Sequence, residues 1–360
     1  MRTFKMILSF FFLLLIACAK PSADRFEVHR GTNISHWLSQ SERRGDERAA
    51  WFTETDVAYL ASLGFDHLRI PVDEEQLWDE AGGQQPEAFA LLRNGLDWCA
   101  EHNLKAIVDL HILRSHHFNE LEKPLWTDPE AQAQFVDLWR QLSEVLCGYP
   151  NSMVAYELMN EAVADDPDQW NQLAKKAYDA IREKEPGRVL VIGSNRWQTV
   201  GTFDDLKVPE NDPNILLSFH FYTPMPLTHH QAFWWRFGGE YNGPVAYPGQ
   251  VVEEADLEGY APDVVQTIES ENGVFNQAVL EAMLEKPLKK ARELNLPLYC
   301  GEWGCLPSVS TEARLAWYGD MRSNFEKHGI GWATWDYKGS FGLLDPDGNP
   351  IPELIDVLTK

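Results

Sequence analysis

The chain has 360 residues, of which 44% are hydrophobic and 24% are charged, and its formal net charge is −24. This composition is ordinary for a globular protein, which excludes a disordered chain, and the length suffices for one large barrel or two ordinary domains. The negative charge repels phosphate backbones, so we expect no nucleic acid as a partner, whereas a neutral polymer meets no electrostatic barrier.

The first residues are typical of an export signal. Arg2 and Lys5 precede the apolar run MILSFFFLLLIA, which is too short to span a bilayer comfortably. The junction LIAC resembles a bacterial lipobox, and this resemblance implies cleavage before Cys18 and lipidation of its thiol. We expect a signal peptide over 1–17, a short tether over 18–25 and an exported protein that is lipid-anchored at the cell envelope. The alternative is ordinary secretion with cleavage a few residues later.

Four further cysteines are too few for a disulfide-dense scaffold in a chain of this size. The sequence does not decide whether any two of them pair. They are Cys99, Cys147, Cys300 and Cys305.

Short β-branched runs alternate with amphipathic helical stretches from residue 26 to residue 360, without a long linker or a low-complexity block. This alternation is typical of parallel βα units. Recognisable helix starts fall between the runs, at Thr53, Asp128 and Thr311. The pattern predicts a single-domain (β/α)8 TIM barrel over 26–360. The eight candidate strands are 26–34, 67–72, 104–111, 152–160, 188–195, 215–222, 296–303 and 330–337.

The longest interruption lies between Tyr222 and Asn276 and is rich in Pro, Gly and aromatic residues. Because it follows the sixth strand, we expect it on the C-terminal face of the barrel, where loops build active sites. The alternative is a packed structural insertion that is held by Trp234 and Trp235.

Polar and aromatic side chains stand at the ends of most of the predicted strands. The carboxyl ends of barrel strands converge on one rim, so residues that are distant in sequence can face each other over one pocket. These residues are Arg69, His111, Asn160, Glu161, His220, Tyr222, Glu302 and Trp335.

Two carboxylates that face each other across such a pocket suit glycosidic-bond cleavage, in which one protonates the leaving oxygen and the other meets the oxocarbenium ion. Glu161 and Glu302 are the candidates. A separation of about 5 Å would make the second carboxylate a nucleophile and the outcome retaining. The alternative for either Glu alone is a structural ion pair.

Six segments together resemble the landmarks of glycoside hydrolase family five, the cellulase-like members of a large retaining clan with (β/α)8 barrels. The resemblance covers all eight predicted strands and therefore most of the chain. The segments are RIP (69–71), DLH (109–111), ELMNEA (157–162), HFY (220–222), GEWG (301–304) and WATWDYKG (332–339).

The resemblance implies a role for each matching residue. Glu161 would be the general acid/base and Glu302 the nucleophile, and Asn160 would bind the 2-hydroxyl of the sugar under attack. Arg69 and Tyr222 would hold Glu302 ionised and oriented. His111 and His220 would bind the same sugar or tune the acid, and Trp335 would form the floor beneath the sugar. No cofactor is implied.

The chain departs from the family pattern at one position. The family usually places Pro after the acid/base Glu, and this chain has Ala162, so we expect a less rigid loop.

Because neighbours in a strand point to opposite faces, Asn160 and Glu161 can share a pocket only if the strand ends or bulges there. Glu157 is inward by the same alternation, and we expect it to pair with Arg69.

Histidines cluster in DLHILRSHH and again at His229 and His230. Their spacing matches no zinc pattern with a defined second half, so we predict no catalytic metal. His116 and His117 are expected in a loop wall near the substrate.

Tryptophans near strand ends suit sugar rings, whose axial C–H bonds pack on aromatic faces. Tryptophan is also common core filler, and with 14 in the chain only a few should touch ligand. The candidates are Trp37, Trp197, Trp303 and Trp335.

The sequence thus predicts a retaining β-glycanase, foremost an endo-β-1,4-glucanase, that acts on a polysaccharide or oligosaccharide as a lipid-anchored monomer. Mannan, xyloglucan or β-1,3-glucan stay open as substrates, as does exo action, because specificity resides in loops. A non-catalytic surface glycan-binding lipoprotein is the alternative from another class.

Overall fold

The computed structural model describes residues 25–360, so the predicted signal peptide and the lipidation site Cys18 lie outside the described residues. Eight parallel strands form a closed barrel in the order β1-β2-β3-β4-β5-β6-β9-β10, and β10 pairs with β1. The barrel strands are β1 Arg30–Asn33, β2 His67–Val72, β3 Lys105–Leu110, β4 Val154–Glu157, β5 Leu190–Gly193, β6 Ile215–Phe221, β9 Leu298–Trp303 and β10 Gly331–Thr334.

The predicted barrel is therefore confirmed, and each of the eight candidate runs contains one strand. Helices and short helical turns follow the strands. They are α1 Gly45–Trp51, α2 Glu54–Ser62, α3 Glu74–Leu77, α4 Pro86–Glu101, α5 Pro129–Leu146, α6 Pro167–Arg182, α7 Asn195–Gln198, α8 Met225–Thr228, α9 Pro262–Glu271, α10 Gln277–Met283, α11 Glu285–Leu294, α12 Thr311–His328 and α13 Pro352–Thr359.

Local chemistry fixes where several helices begin. Thr53 and Asp56 form a capping box at the start of α2. The Asp128 carboxylate accepts from the Glu130 N–H at 2.9 Å, and Pro129 occupies the first helical position, where its missing donor costs nothing. These caps satisfy N–H groups that lack a partner within the helix.

The main core lies between the outer faces of the strands and the helices, because a parallel barrel buries both faces of its sheet. A second, smaller cluster fills the N-terminal end of the barrel interior. Phe26 closes this end from below and packs against inward side chains that include Ile107, Leu216 and Tyr299. The chain therefore enters the barrel at the end opposite to the carboxyl ends of the strands.

The insertion after β6 folds into short helices, the strand pair β7 Gly249–Gln250 and β8 Val274–Phe275, and helix α9. Its beginning borders the carboxyl ends of the strands, where Trp235 packs with Leu306 and Phe341. Of the two tryptophans expected to hold the insertion, Trp235 packs against the main core, whereas Trp234 is 40% exposed and lies with its ring centroid 6.2 Å from that of the buried Phe341.

Within residues 25–360, no helix combines the length and the apolar composition that crossing a bilayer requires. The four cysteines of this part of the chain are free thiols, three of them buried and Cys147 exposed.

Candidate active site

A bulge between β6 and β9 brings two predicted site residues together. The register pairs Phe219 with Cys300 but His220 with Glu302, so one extra residue is accommodated at Gly301. A bulge of this kind re-aims side chains next to active sites. Here it places the His220 ring beside the Glu302 carboxylate, with Nδ1 3.6 Å from Oε2.

Glu161 reaches the same pocket because β4 ends early. The strand stops at Glu157, and Glu161 has a φ of +44°, in the left-handed region that non-glycine residues rarely adopt. The strand thus ends before Asn160 and Glu161, as the sequence required, and both neighbours can face the interior. His220 Nδ1 lies 2.8 Å from Glu161 Oε1.

The two glutamates face each other over one pocket. One oxygen of the Glu161 carboxyl and one of Glu302 lie within 4.8 Å of each other and of a His220 nitrogen. Glu161 is 9% exposed and Glu302 5% exposed, so each is largely withdrawn from water yet accessible at one edge. Glu161 follows β4 and Glu302 lies in β9, three strands away around the closed barrel.

Arg69 is the fully buried centre of the polar network beneath the pocket. Five oxygen-bearing side chains surround its guanidinium at 2.7 to 3.0 Å, so its charge is well compensated. They are Glu157 at 2.7 Å, Glu302 at 2.8 Å, Asn33 at 2.8 Å, Asn160 at 2.9 Å and Asp109 at 3.0 Å.

Tyr222 completes the surroundings of Glu302. Its hydroxyl donates to Glu302 Oε2 at 3.0 Å, while Arg69 donates to Oε1. Each oxygen of this carboxylate therefore accepts a hydrogen bond, which favours the ionised form of Glu302.

The surroundings of the two glutamates act differently on their pKa values. Burial raises the pKa of Glu161 well above its ordinary value, and the charge on Glu302 raises it further. Burial also raises the pKa of Glu302, but Arg69 and the Tyr222 hydroxyl oppose that rise. Glu302 is therefore the first of the pair to lose its proton, and Glu161 keeps its proton to higher pH.

His111 and Trp335 stack at the pocket floor, with ring centroids 5.5 Å apart and planes 6° apart. His111 Nδ1 lies 2.6 Å from Asp109, so the carboxylate orients the ring and leaves Nε2 directed elsewhere. Burial lowers the pKa of His111 to about 3, which keeps the imidazole neutral. Trp335 is half-buried and presents part of its ring to the pocket.

Asn160 has an unused donor. Its Oδ1 accepts from Arg69 at 2.9 Å, but its Nδ2 has no hydrogen-bond partner among residues 25–360 although the residue is fully buried. A buried amide donor without a partner is costly, so it is an open position for a ligand hydroxyl.

Two predicted sugar-binding tryptophans are core residues instead, and those predictions were wrong. Trp37 is 0% exposed and packs on Phe52 with centroids 5.0 Å apart. Trp303 is 0% exposed and packs on Trp332 with centroids 5.2 Å apart. Because Glu302 points into the barrel, its neighbour Trp303 points outward to the helices.

Trp197 lies at the rim, where its side chain is available to a ligand. It is 40% exposed, and its Nε1 donates to the Phe118 carbonyl at 3.2 Å, which joins the loops after β5 and β3. His116 of the latter loop is buried, whereas His117 and Phe118 are half-buried.

The network contains three residues that sequence reasoning did not assign to the site. Asn33 and Asp109 contact Arg69 directly, and both stand at or near strand ends, a signal that was available. Gln198 accepts from the Glu161 N–H at 2.8 Å and lies in an irregular turn that no periodicity marks.

In residues 25–360, Glu161, His220 and Glu302 offer ligand atoms close enough together to hold a metal ion. The guanidinium of Arg69 lies 2.8 Å from Glu302, however, and already provides the positive charge that a metal would bring. This competition weakens the site for a cation.

Paired carboxyl groups at the mouth of a (β/α)8 barrel, one with a pKa raised well above its ordinary value and one held by Arg69 and Tyr222, beside a histidine, an open amide and an aromatic floor, define a glycosidase. The family profile "Cellulase (glycosyl hydrolase family 5)" matches residues 26–340. The chain belongs to this family and is a glycosyl hydrolase.

Two relatives and one solved structure illustrate the similarity. The chain is 32% identical to endoglucanase C of Acetivibrio thermocellus over 92% of this chain and 97% of that protein. It is 26% identical to cellodextrinase A of Ruminococcus flavefaciens over 84% and 83% of the two chains. The structure of Thermotoga maritima Cel5A with cellobiose has a TM-score of 0.74 at 22% identity, covering 92% of this chain and 97% of that one.

Proposed function

We propose that the protein is a retaining endo-β-1,4-glucanase. The observation that carries the retaining mechanism is the approach of the Glu161 and Glu302 carboxyl oxygens to within 4.8 Å, which leaves no room for a water between base and sugar. The similarity to an endoglucanase over almost the whole chain supports the glucan substrate and the internal cleavage.

Glu302 acts as the nucleophile and Glu161 as the general acid/base. The ionised Glu302 attacks the anomeric carbon while Glu161 gives its proton to the leaving glycosidic oxygen, and a glycosyl ester forms. Glu161 then accepts a proton from water, which attacks the same carbon and releases Glu302. The raised pKa of Glu161 suits it to donate near neutral pH.

The remaining site residues bind and orient the sugar at the point of cleavage. The open Nδ2 of Asn160 binds the 2-hydroxyl, and Trp335 forms an apolar floor for the ring. His111 supplies its free ring nitrogen to a hydroxyl, since Asp109 occupies the other. His220 orients Glu161 through the 2.8 Å contact, and Trp197 meets a sugar further along the cleft.

Substrate choice among β-glycans is tested by comparing soluble β-1,4-glucan, mannan, xyloglucan and β-1,3-glucan at equal concentration. We expect the highest kcat/KM on the β-1,4-glucan, with a steep early fall in viscosity that marks internal cleavage. Activity confined to mannan would refute the glucan assignment. Release of small sugars without a fall in viscosity would refute endo action.

The rival function from another class is a surface glycan-binding protein without turnover. The variant Glu302→Ala separates the two, because it removes the nucleophile but no aromatic surface. We expect it to lose hydrolysis while it still binds the polymer in a pull-down. Turnover that persists in this variant would remove Glu302 as the nucleophile.

We further propose that the protein is exported and held at the cell envelope by lipid on Cys18, as a monomer. The lipobox-like LIAC and the preceding apolar run support this location. Mass spectrometry of the amino-terminal peptide tests it: a mature protein that begins with a lipid-modified Cys18 is expected, and one that begins elsewhere with an unmodified residue would contradict it. Light scattering tests the monomer.

A further inference from the structure

The loop that carries Glu161 lacks helix or strand, but its backbone is held from both sides. Residues 161–164 follow the end of β4. Three of their N–H groups donate to side chains of the neighbouring loops rather than to backbone. The acceptors are Gln198 Oε1 for Glu161 at 2.8 Å, His116 Nε2 for Val163 at 3.2 Å and Asn195 Oδ1 for Ala164 at 2.8 Å.

The turn 195–198 after β5 provides most of this support. Asn195 Nδ2 also donates to the Ala164 carbonyl at 3.0 Å, and the Trp197 N–H donates to the Ala162 carbonyl at 3.2 Å. Three successive residues of this turn have φ values of +55°, +59° and +53°. Such a run of left-handed non-glycine residues is unfavourable by itself, so surrounding contacts must maintain it.

Gln198 is fixed at both ends of its side chain. It is 1% exposed, and its Nε2 donates to Glu157 Oε1 and to Ser218 Oγ, each at 3.2 Å. A Cβ atom on Gly193 would lie 2.2 Å from Nε2, so the glycine makes room for the amide. Its Oε1 is therefore held at a defined point beneath the Glu161 N–H.

We propose that Gln198 is the positioning residue of Glu161, and that its hydrogen bond holds Glu161 in the left-handed conformation that directs the carboxyl to the leaving oxygen. The position after Glu161 is Ala162, so no proline ring restrains the backbone there. The side-chain hydrogen bond supplies that restraint instead. This inference rests on the proposed role of Glu161 as the proton donor.

The test compares two β-cellobiosides that differ in their need for an acid. A 2,4-dinitrophenolate departs without protonation, whereas the sugar alkoxide that leaves a cellooligosaccharide requires the proton. In Gln198→Met, which keeps the side-chain volume, we expect kcat/KM to fall about 10- to 100-fold on the cellooligosaccharide and less than about threefold on the dinitrophenyl substrate.

Gln141→Met is the matched control, because the Gln141 side chain also accepts a hydrogen bond at 2.8 Å, here from the Trp78 indole N–H, but lies away from the site. This variant should leave kcat/KM unchanged on both the cellooligosaccharide and the dinitrophenyl substrate. Equal losses on both substrates in a folded Gln198→Met protein, or no loss on either, would overturn the proposal. If that variant does not fold, Gln198→Asn, whose shorter side chain withdraws the amide oxygen from the Glu161 N–H, must show the same split.

Glu161→Ala, measured in parallel, distinguishes the positioning role of Gln198 from the proton-donor role of Glu161. It should lose far more activity on the cellooligosaccharide than on the dinitrophenyl substrate. If it does and the Gln198 variant does not, only the positioning role fails. If Glu161→Ala shows no split, the proposed role of Glu161 fails first.

A second inference comes from where the chain enters the barrel. Phe26 plugs the N-terminal end, and the His29 N–H donates to Asp66 just before β2 begins. Arg25 therefore emerges at the end of the barrel opposite to Glu161 and Glu302. Arg25 lies seven positions after Cys18, and a chain of that length spans at most about 25 Å.

We infer that the lipid-anchored protein presents its N-terminal barrel face to the membrane and its catalytic mouth to the surroundings. A domain of this size is about 50 Å across. Turning the mouth toward the membrane would carry Arg25 to the far side, beyond the reach of the tether. The outward mouth suits an insoluble or polymeric substrate, and this inference rests on the proposed lipidation of Cys18.

Energy transfer to a headgroup fluorophore tests the orientation of the full-length lipidated protein in phosphatidylglycerol/phosphatidylethanolamine vesicles. The exposed Cys147 follows the C-terminal end of α5, at the membrane-proximal face, and takes the donor label. The control label is at Phe233→Cys in a Cys147→Ser background, because Phe233 is 91% exposed in the insertion at the mouth.

We expect transfer at position 147 to exceed that at position 233 by at least about twofold, given the span of the domain. Equal or reversed transfer would contradict the orientation. A protein that does not bind vesicles and lacks the lipid mass would instead refute the proposed lipidation.

Discussion

Tyr222 donates its hydroxyl to Oε2 of Glu302 at 3.0 Å, while the other oxygen of that carboxylate accepts from Arg69. The nucleophile is thus held by one neutral and one charged donor in a buried site. This arrangement fixes the orientation of the carboxylate and opposes the rise in its pKa that burial causes.

The variant Tyr222→Phe removes the neutral donor and should shift the pH profile in a known direction. Without the hydroxyl, the pKa of Glu302 rises, and because Glu302 must be ionised, the acidic limb of kcat/KM moves to higher pH. We expect about a tenfold fall in kcat as well, as for loss of one hydrogen bond to a charged group. An unchanged acidic limb in the pH–rate profile would contradict this role.

The protonated state of Glu161 also predicts how stability depends on pH. Its folded-state pKa lies above the unfolded value, so the folded protein binds more protons and loses stability as pH rises through the folded pKa. Glu161→Gln removes this titration. Urea unfolding at pH 5 and pH 8 should show the variant gaining stability relative to wild type at the higher pH, and identical pH dependence would disprove the raised pKa.

Because the Asn160 amide has a free donor, we expect its removal to lower kcat/KM by an amount that depends on the substrate. Asn160→Ala should reduce kcat/KM about 100-fold on an ordinary β-cellobioside, since it removes a donor that acts on the transition state. On a 2-deoxy substrate the same variant should cost much less, because its partner hydroxyl is absent. Equal losses on both substrates would show that the amide does not bind the 2-hydroxyl.

Because Trp303 is buried, we expect its truncation to lower the stability of the protein rather than its binding of the polymer. Trp303→Ala leaves a cavity among packed aromatic rings and should lower the free energy of unfolding by about 3–5 kcal/mol.

The matched control is Trp197→Ala, which truncates an exposed ring at the rim and should raise KM while leaving the unfolding midpoint nearly unchanged. A stable Trp303 variant with weakened polymer binding would reverse the assignments of these two tryptophans.

Strand alternation and the convergence of strand ends were sufficient to predict the barrel and the opposition of Glu161 and Glu302, because both follow from short-range periodicity and topology. The same alternation also marks Trp303 as outward once Glu302 is inward, although we expected it at the substrate. Trp37 was harder to place, because it follows β1 in a loop whose path only the packing on Phe52 reveals.

Irregular backbone accounts for what the sequence did not reveal. Gln198 reaches Glu161 through a turn of left-handed residues, and the φ of +44° at Glu161 has no local sequence signal. Three-dimensional contacts between loops determine these conformations, so neither helical nor strand periodicity can predict them.

The central claim is that Glu302 forms a covalent bond to the sugar, and trapping of that intermediate tests it most directly. A 2-deoxy-2-fluoro-β-cellobioside with an activated leaving group slows the release of the glycosyl ester more than its formation. Mass spectrometry of the digested protein should show one fluorocellobiosyl group on the peptide that contains Glu302. A label on any other residue, or normal turnover without a label, would contradict the account.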